Sequence, residues 1–207
     1  MEIREAVRQR RSIRKYKDTE IPEQVLKEVL EDALWAPSGV NRQNWFIYAV
    51  RGEKKDELLK AVAGSGKYLK PRLETLYKKE VVNLTMSFFT NLGGAPVILL
   101  VYIPKNIVEI HPAMSNRERY LAEHERFVNL LSASALIQNI LLLAKSRGLG
   151  TCWMTAPKYN EDQINEIMGI TDKELVAVIP IGYPDQNPPA PPRKGEKIRF
   201  IGFNQPV

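Results

Sequence analysis

Leu130-Leu131-Ser132-Ala133-Ser134-Ala135-Leu136-Ile137-Gln138-Asn139-Ile140-Leu141-Leu142-Leu143-Ala144 constrains the architecture more than any other part of the chain. Apart from Gln138 and Asn139, apolar or small side chains cover nearly every face of the helix these residues would form. Such a helix must be covered on all sides. It is the second half of the longest helical pattern in the chain, 118–147, which Arg147-Gly148-Leu149-Gly150 closes with glycines suited to a left-handed cap. The reading is a long central helix, buried and shared with a second subunit.

On either side of this helix, two apolar runs fit buried strands: 96–103 (PVILLVYI), and 175–181, which is closed by Gly182-Tyr183-Pro184. A third strand-like run is 45–50, and 151–155 reads as strand or extended chain. Towards the N-terminus, Ile3, Ala6 and Val7 share a face in a helix at 2–13. Val25, Leu26, Val29, Leu30, Ala33 and Leu34 mark a second helix, started near Pro22 and ended before Pro37. Residues 53–63 read as helix, Gly64-Ser65-Gly66 as a break, 70–92 as mixed helix, 104–116 as loop and 160–168 as a short helix. The stretch 185–197 is Pro-rich and basic, before a tail with Phe200 and Phe203. No linker or repeat divides the chain, so 1–207 reads as one α+β domain, rich in helix.

The composition, 44% hydrophobic and 26% charged, is that of a globular protein. No uninterrupted apolar run reaches the roughly 18 residues of a membrane span, and no secretory signal opens the chain, which points to the cytoplasm. A single cysteine, Cys152, excludes an intramolecular disulfide. The two histidines, His111 and His124, stand in no metal-ligand pattern, and their scarcity argues against a Ser/His or Cys/His catalytic centre. The formal charge of +6 is spread among acidic neighbours, except at one compact cluster, Arg8-Gln9-Arg10-Arg11-Ser12-Ile13-Arg14-Lys15. A cluster that short suits a phosphate group better than a duplex.

If the first helix persists, Arg10 and Arg14 are neighbours four residues apart and repel unless an anion lies between them. Arginine forks bind phosphate in a planar, bidentate way, and the Ser12 hydroxyl can add a donor. Taken alone, such a cluster is more often a solvated basic face. The loop Pro37-Ser38-Gly39-Val40-Asn41-Arg42-Gln43-Asn44 offers amides that both donate and accept, matching the edge of a flavin or a nucleobase. Taken alone, it is a polar connection.

Together and in this order, these pieces resemble the nitroreductase family of FMN enzymes. RRSxR at 10–14 is followed about 25 residues later by PSxxNxQxW at 37–45. Gly148 to Thr155 is similar to that family's exit from its central helix, 179–184 (IPIGYP) to its late strand and turn, and Pro191-Pro192-Arg193-Lys194 to its C-terminal basic element. The resemblance runs from about residue 3 to 195.

It implies a central, mostly antiparallel sheet flanked by helices, and a homodimer with FMN at the interface. Arg10, Arg11, Ser12 and Arg14, with Arg193 and Lys194, would hold the phosphate and ribityl chain. Pro37, Ser38, Asn41 and Gln43 would approach the ring, and Trp153, Met154 and Thr155 would lie along one of its faces, although Trp153 and Met154 also fit an ordinary core. No protein residue is expected to be catalytic and no metal is expected. Hydride would pass from NADH or NADPH through the flavin to a nitroaromatic or quinone in ping-pong turnover.

One departure is Gln43-Asn44-Trp45 where the family has Gln-Pro-Trp. Another reading within the fold is a reductive dehalogenase with Glu74, Tyr77 and Lys78 in its lid; outside it, a non-catalytic module binding flavin or nucleic acid.

Overall fold

The structure, a computed structural model, describes residues 1–106, 110–195 and 197–203. Four strands, β1 (Phe46–Val50), β2 (Val97–Pro104), β3 (Gly150–Thr151) and β4 (Lys173–Gly182), form one sheet in the order β1-β2-β4-β3, with every neighbouring pair antiparallel. Helices α1 (Ile3–Gln9), α2 (Glu23–Ala33), α3 (Glu53–Leu76), α4 (Lys79–Asn91), α5 (Asn116–Ser146) and α6 (Glu161–Met168) surround it.

Alternation along β2 explains the layering, because successive side chains of a strand point to opposite faces. Leu99, Val101 and Ile103 meet α2 and α5 on one face, in a cluster with Val29, Leu136, Ile137 and Ile140. Ile98, Leu100 and Tyr102 meet α3, α4 and α6 on the other, with Leu58, Phe88 and Ile164. Helices on both faces account for a strand that is apolar at every position from Val97 to Ile103.

The long helix stands where the sequence puts it. A capping box starts α5: the Ser115 hydroxyl accepts from the Glu118 amide at 3.3 Å, and the Glu118 carboxylate accepts from the Ser115 amide at 2.8 Å. By length and hydropathy α5 could cross a membrane. Its apolar side chains instead fill the core, with Leu136, Ile137, Ile140 and Ala144 fully buried. Burial within the chain is one-sided, however: Tyr120, Phe127 and Leu131, at helical spacing, are 58%, 52% and 55% exposed.

Gly64-Ser65-Gly66 does not break the helix, contrary to the sequence reading; α3 runs through it. Its small residues are there for packing. A Cβ on Gly64 would stand 2.5 Å from the Asn160 amide nitrogen, and buried Ser65 turns its hydroxyl back to the Val62 carbonyl at 2.6 Å. The loop expected at 104–116 lies partly outside the described residues.

Candidate functional site

The helix expected at 2–13 stops at Gln9, so Arg10 and Arg14 are not helical neighbours. Arg10 is extended (φ −57°, ψ 131°), and the Arg11 guanidinium caps the helix end by donating to the carbonyls of Arg8 and Arg10 at 2.7 and 2.6 Å. Beyond it the backbone of 12–17 finds partners elsewhere. The Ile13 amide donates to Thr151 O at 2.9 Å, Tyr16 to Gly93 O at 3.0 Å and Lys17 to Tyr183 O at 2.9 Å. The buried Tyr16 hydroxyl reaches the carbonyls of Ile13 and Pro180 at 2.8 and 3.1 Å, and burial pushes its pKa up, so it stays a donor. In extended chain every second side chain shares a side. Arg10, Ser12 and Arg14 therefore line up facing outward, while Ile13 is buried.

That side forms a cleft of about 710 Å³ whose walls include Arg8, Arg10, Arg11, Ser12, Arg14, Arg193 and the Pro188–Pro191 segment. No carboxylate among the described residues lines it, and none of these arginines is ion-paired to a described residue. The Arg14 guanidinium lies 5.9 Å from the centre of the Phe88 ring, and Arg193 donates to Pro191 O at 2.9 Å. The Arg11 Nε is buried with no hydrogen-bond partner among the described residues. So many guanidinium groups around one cavity, none ion-paired to a described residue, fit a phosphate monoester, which carries about −1.5 to −2 charges near neutrality. Lys194 is exposed and outside this lining. Cys152 is buried beside the cleft; burial pushes its thiol pKa up, against the pull of Arg14, Ser12 and Arg10.

The second expected element, the loop after α2, lies elsewhere, on the middle of α5. The Gly39 amide donates to the Ser132 hydroxyl at 3.3 Å, the Asn44 amide side chain to Asn129 Oδ1 at 3.3 Å, and Arg42 pairs with Glu125. A Cβ on Gly39 would sit 2.4 Å from a Val128 methyl, so only glycine lets the loop lie this close to the helix. Val40, Asn41 and Gln43 all have positive φ (46°, 54° and 52°). Such conformations cost about 1–3 kcal/mol each in non-glycine residues, most of all in β-branched Val40, and persist only where surroundings impose them. Ser38 helps by accepting from the Gln43 amide at 3.0 Å, and Gln43 donates its side chain to Asn41 at 3.1 Å.

From Ser132 to Lys145, at the arginine end, α5 rises roughly 20 Å at about 1.5 Å per residue. Pro37, Ser38, Asn41 and Gln43 are thus absent from the arginine cleft of their own chain. Trp153 and Thr155 are exposed and also outside it. Met154 pairs with Val178, and its side chain enters the core between the sheet and α3, so its alternative reading as core is the one observed. Arg8, Phe88, Asn129, Ser132 and Pro188–Ala190 stand at these sites without having been expected there. The signal for Asn129 and Ser132 was polar side chains in an apolar helix.

Fold and cleft together define an α+β protein with an arginine-lined cavity whose charge suits a phosphate-bearing ligand. The model of the nitroreductase family matches residues 7–183, and the chain belongs to that family. YfhC of Bacillus subtilis, by name an NAD(P)H nitroreductase, is 30% identical over 200 residues, 96% of this chain and 92% of its own. The iodotyrosine deiodinase of Thermotoga neapolitana is 26% identical over 202 residues, 95% of this chain and 96% of its own. Among solved structures, a nitroreductase of Desulfovibrio desulfuricans in complex with FMN matches with a TM-score of 0.66 at 25% identity, covering 93% of this chain and 91% of its own.

Proposed function

We propose that this chain is an FMN-dependent oxidoreductase of the cytoplasm, one domain in each subunit of a homodimer, taking hydride from NADH or NADPH and reducing a small organic acceptor such as a nitroaromatic or quinone. The observation that carries this reading is the arginine cleft, open and lined by no carboxylate among the described residues. The names of relatives, NAD(P)H nitroreductase for YfhC and an FMN complex for the Desulfovibrio structure, agree with it.

Arg10, Arg14 and Arg193 would neutralise the cofactor's phosphate while Ser12 donates to it. Extended backbone pinned to Thr151, Gly93 and Tyr183 keeps these groups in place without the ligand. Bound FMN would supply the hydride chemistry, accepting from the nicotinamide and passing to the acceptor. The protein then needs no nucleophile of its own: Cys152 is buried as a thiol, and neither histidine lines the cleft.

The separation between cleft and loop is the argument for a shared site. The apolar stripe Tyr120, Phe127 and Leu131 leaves α5 open to a second copy. A second copy on that face would bring its loop 38–44 toward the first copy's cleft, with Ser38, Asn41 and Gln43 near the ring and Trp153 and Thr155 beside it.

Purified protein should be yellow and release FMN on denaturation. Under anaerobic conditions it should oxidise NADH or NADPH with nitrobenzoate or a quinone as acceptor. A colourless protein that cannot be reconstituted with FMN would overturn the reading. Turnover of 3-iodotyrosine without nitroarene reduction would replace it with dehalogenation.

A further inference from the structure

We propose that Asn129 and Ser132, two polar residues set against the loop on α5, are positioning residues that hold the loop 38–44 in shape for the cofactor; this rests on the FMN reading above.

Both are buried, 8% and 7% exposed, on a helix whose other buried residues nearby are apolar. A serine inside a helix gains nothing for the helix itself, where alanine is the better residue. Ser132 sends its one proton to the Val128 carbonyl at 2.8 Å, which leaves its lone pairs for the Gly39 amide. Asn129 accepts from Asn44, the residue that stands where the family has proline. The neighbouring contact, Gly39 on Val128, presses the loop onto the same helical turn.

The loop needs such holding because its own conformation is unfavourable. Three of its four residues from Val40 to Gln43 are left-handed, and none of the three is glycine. Proline at 44 would restrict its own φ and disfavour helical geometry at Gln43. With asparagine there, Gln43 is free to turn left-handed at 52°, and rigidity passes from the backbone ring to the side-chain bond with Asn129. In this chain, order in the cofactor loop is supplied by the helix beneath it.

The test is Ser132→Ala, chosen because alanine suits a helix and the variant should fold, with Asn129→Leu as the second variant and Ser132→Thr to restore the hydroxyl. Amide hydrogen exchange is read at 38–44 and at 12–16 in FMN-free protein, and FMN affinity is titrated separately. Both deletions should speed exchange in the loop by about tenfold, leave 12–16 unchanged and weaken FMN by about tenfold. Ser132→Thr should stay near the parent. Loop exchange at the parent rate in both variants would overturn the proposal. Faster exchange with FMN affinity unchanged would overturn its link to the cofactor. If the parent itself binds no FMN, the cofactor reading and the link fail together, and exchange alone decides whether the two residues order the loop.

Discussion

Gly93 has a φ of 67°, and a Cβ built on it would stand 2.2 Å from the carbonyl oxygen of Arg14. The turn after α4 thus leaves room for the backbone that carries the cleft's arginines, and the Gly93 carbonyl accepts the Tyr16 amide at 3.0 Å. Gly93→Ala would meet both a forbidden approach and an unfavourable φ. It should lower unfolding free energy by about 2 kcal/mol or more and displace the segment 12–16. Urea unfolding checks the first effect and loss of FMN affinity the second.

Arg10→Ala with Arg14→Ala removes two of the cleft's cations. Charge-assisted contacts of about 1.5–3 kcal/mol each amount to at least about tenfold in FMN affinity. Riboflavin, which lacks the phosphate, should bind the parent and the double variant alike. Equal FMN affinity in the two proteins would remove the phosphate assignment.

Cys152→Ser should leave NAD(P)H oxidation within about threefold of the parent, because a buried thiol with a raised pKa offers no nucleophile at neutral pH. Stopped-flow reduction with FMN fully bound is the measurement. A collapse in that rate would reveal a protein-based step.

Leu131→Arg tests assembly. Leu136, equally central in α5, is fully buried in its own chain, so a charge there would probe folding instead. Leu131 is 55% exposed and lies in the open stripe, so its variant should remain folded by circular dichroism but become monomeric and lose FMN. Light scattering reads the mass. A parent that is monomeric with FMN bound at low micromolar concentration would sink the shared site.

Glu174 lies at the other end of the sheet, held by a fork of Arg126 at 2.6–3.1 Å and by Lys158 at 2.9 Å. Burial works against its charged form, but Arg126 and Lys158 prevail and keep the carboxyl below its ordinary pKa. A depressed folded pKa gives stability that is present above the unfolded value and fades as pH falls through the folded one. Glu174→Gln should cost about 2 kcal/mol at neutral pH, less than a fully buried pair because Arg126 and Lys158 are 40% and 35% exposed. The difference from the parent should shrink in acid, as thermal melts across the acid range would show.

The sheet strands and α5 were legible because periodicity and branched apolar runs report burial directly. Gly64-Ser65-Gly66 misled because helix propensity is a weak prior: Asn160 packs where a side chain on Gly64 would stand, and that contact is invisible in sequence. The arginine cluster stood out in the sequence, but the helical geometry expected for it is not the one observed. Spacing of four suggests a helix; pairing with Thr151, far along the chain, makes the segment extended and gives a spacing of two. The loop's dependence on Asn129 and Ser132 could not be read, since nothing in sequence brings residues 39 and 132 together.

Concentrating so many guanidinium groups on one wall has a kinetic consequence. At physiological ionic strength the Debye length is about 8 Å, so their summed field reaches past the mouth of the cleft before it is screened. An anion drifting near the wall is drawn in phosphate end first, arriving already oriented, while a neutral analogue must find the cleft by unguided collision. The association rate for phosphate-bearing ligands should therefore fall steeply as salt is added, with little change for neutral ones. The arginines would then sort ligands by charge during the approach, before any contact has formed.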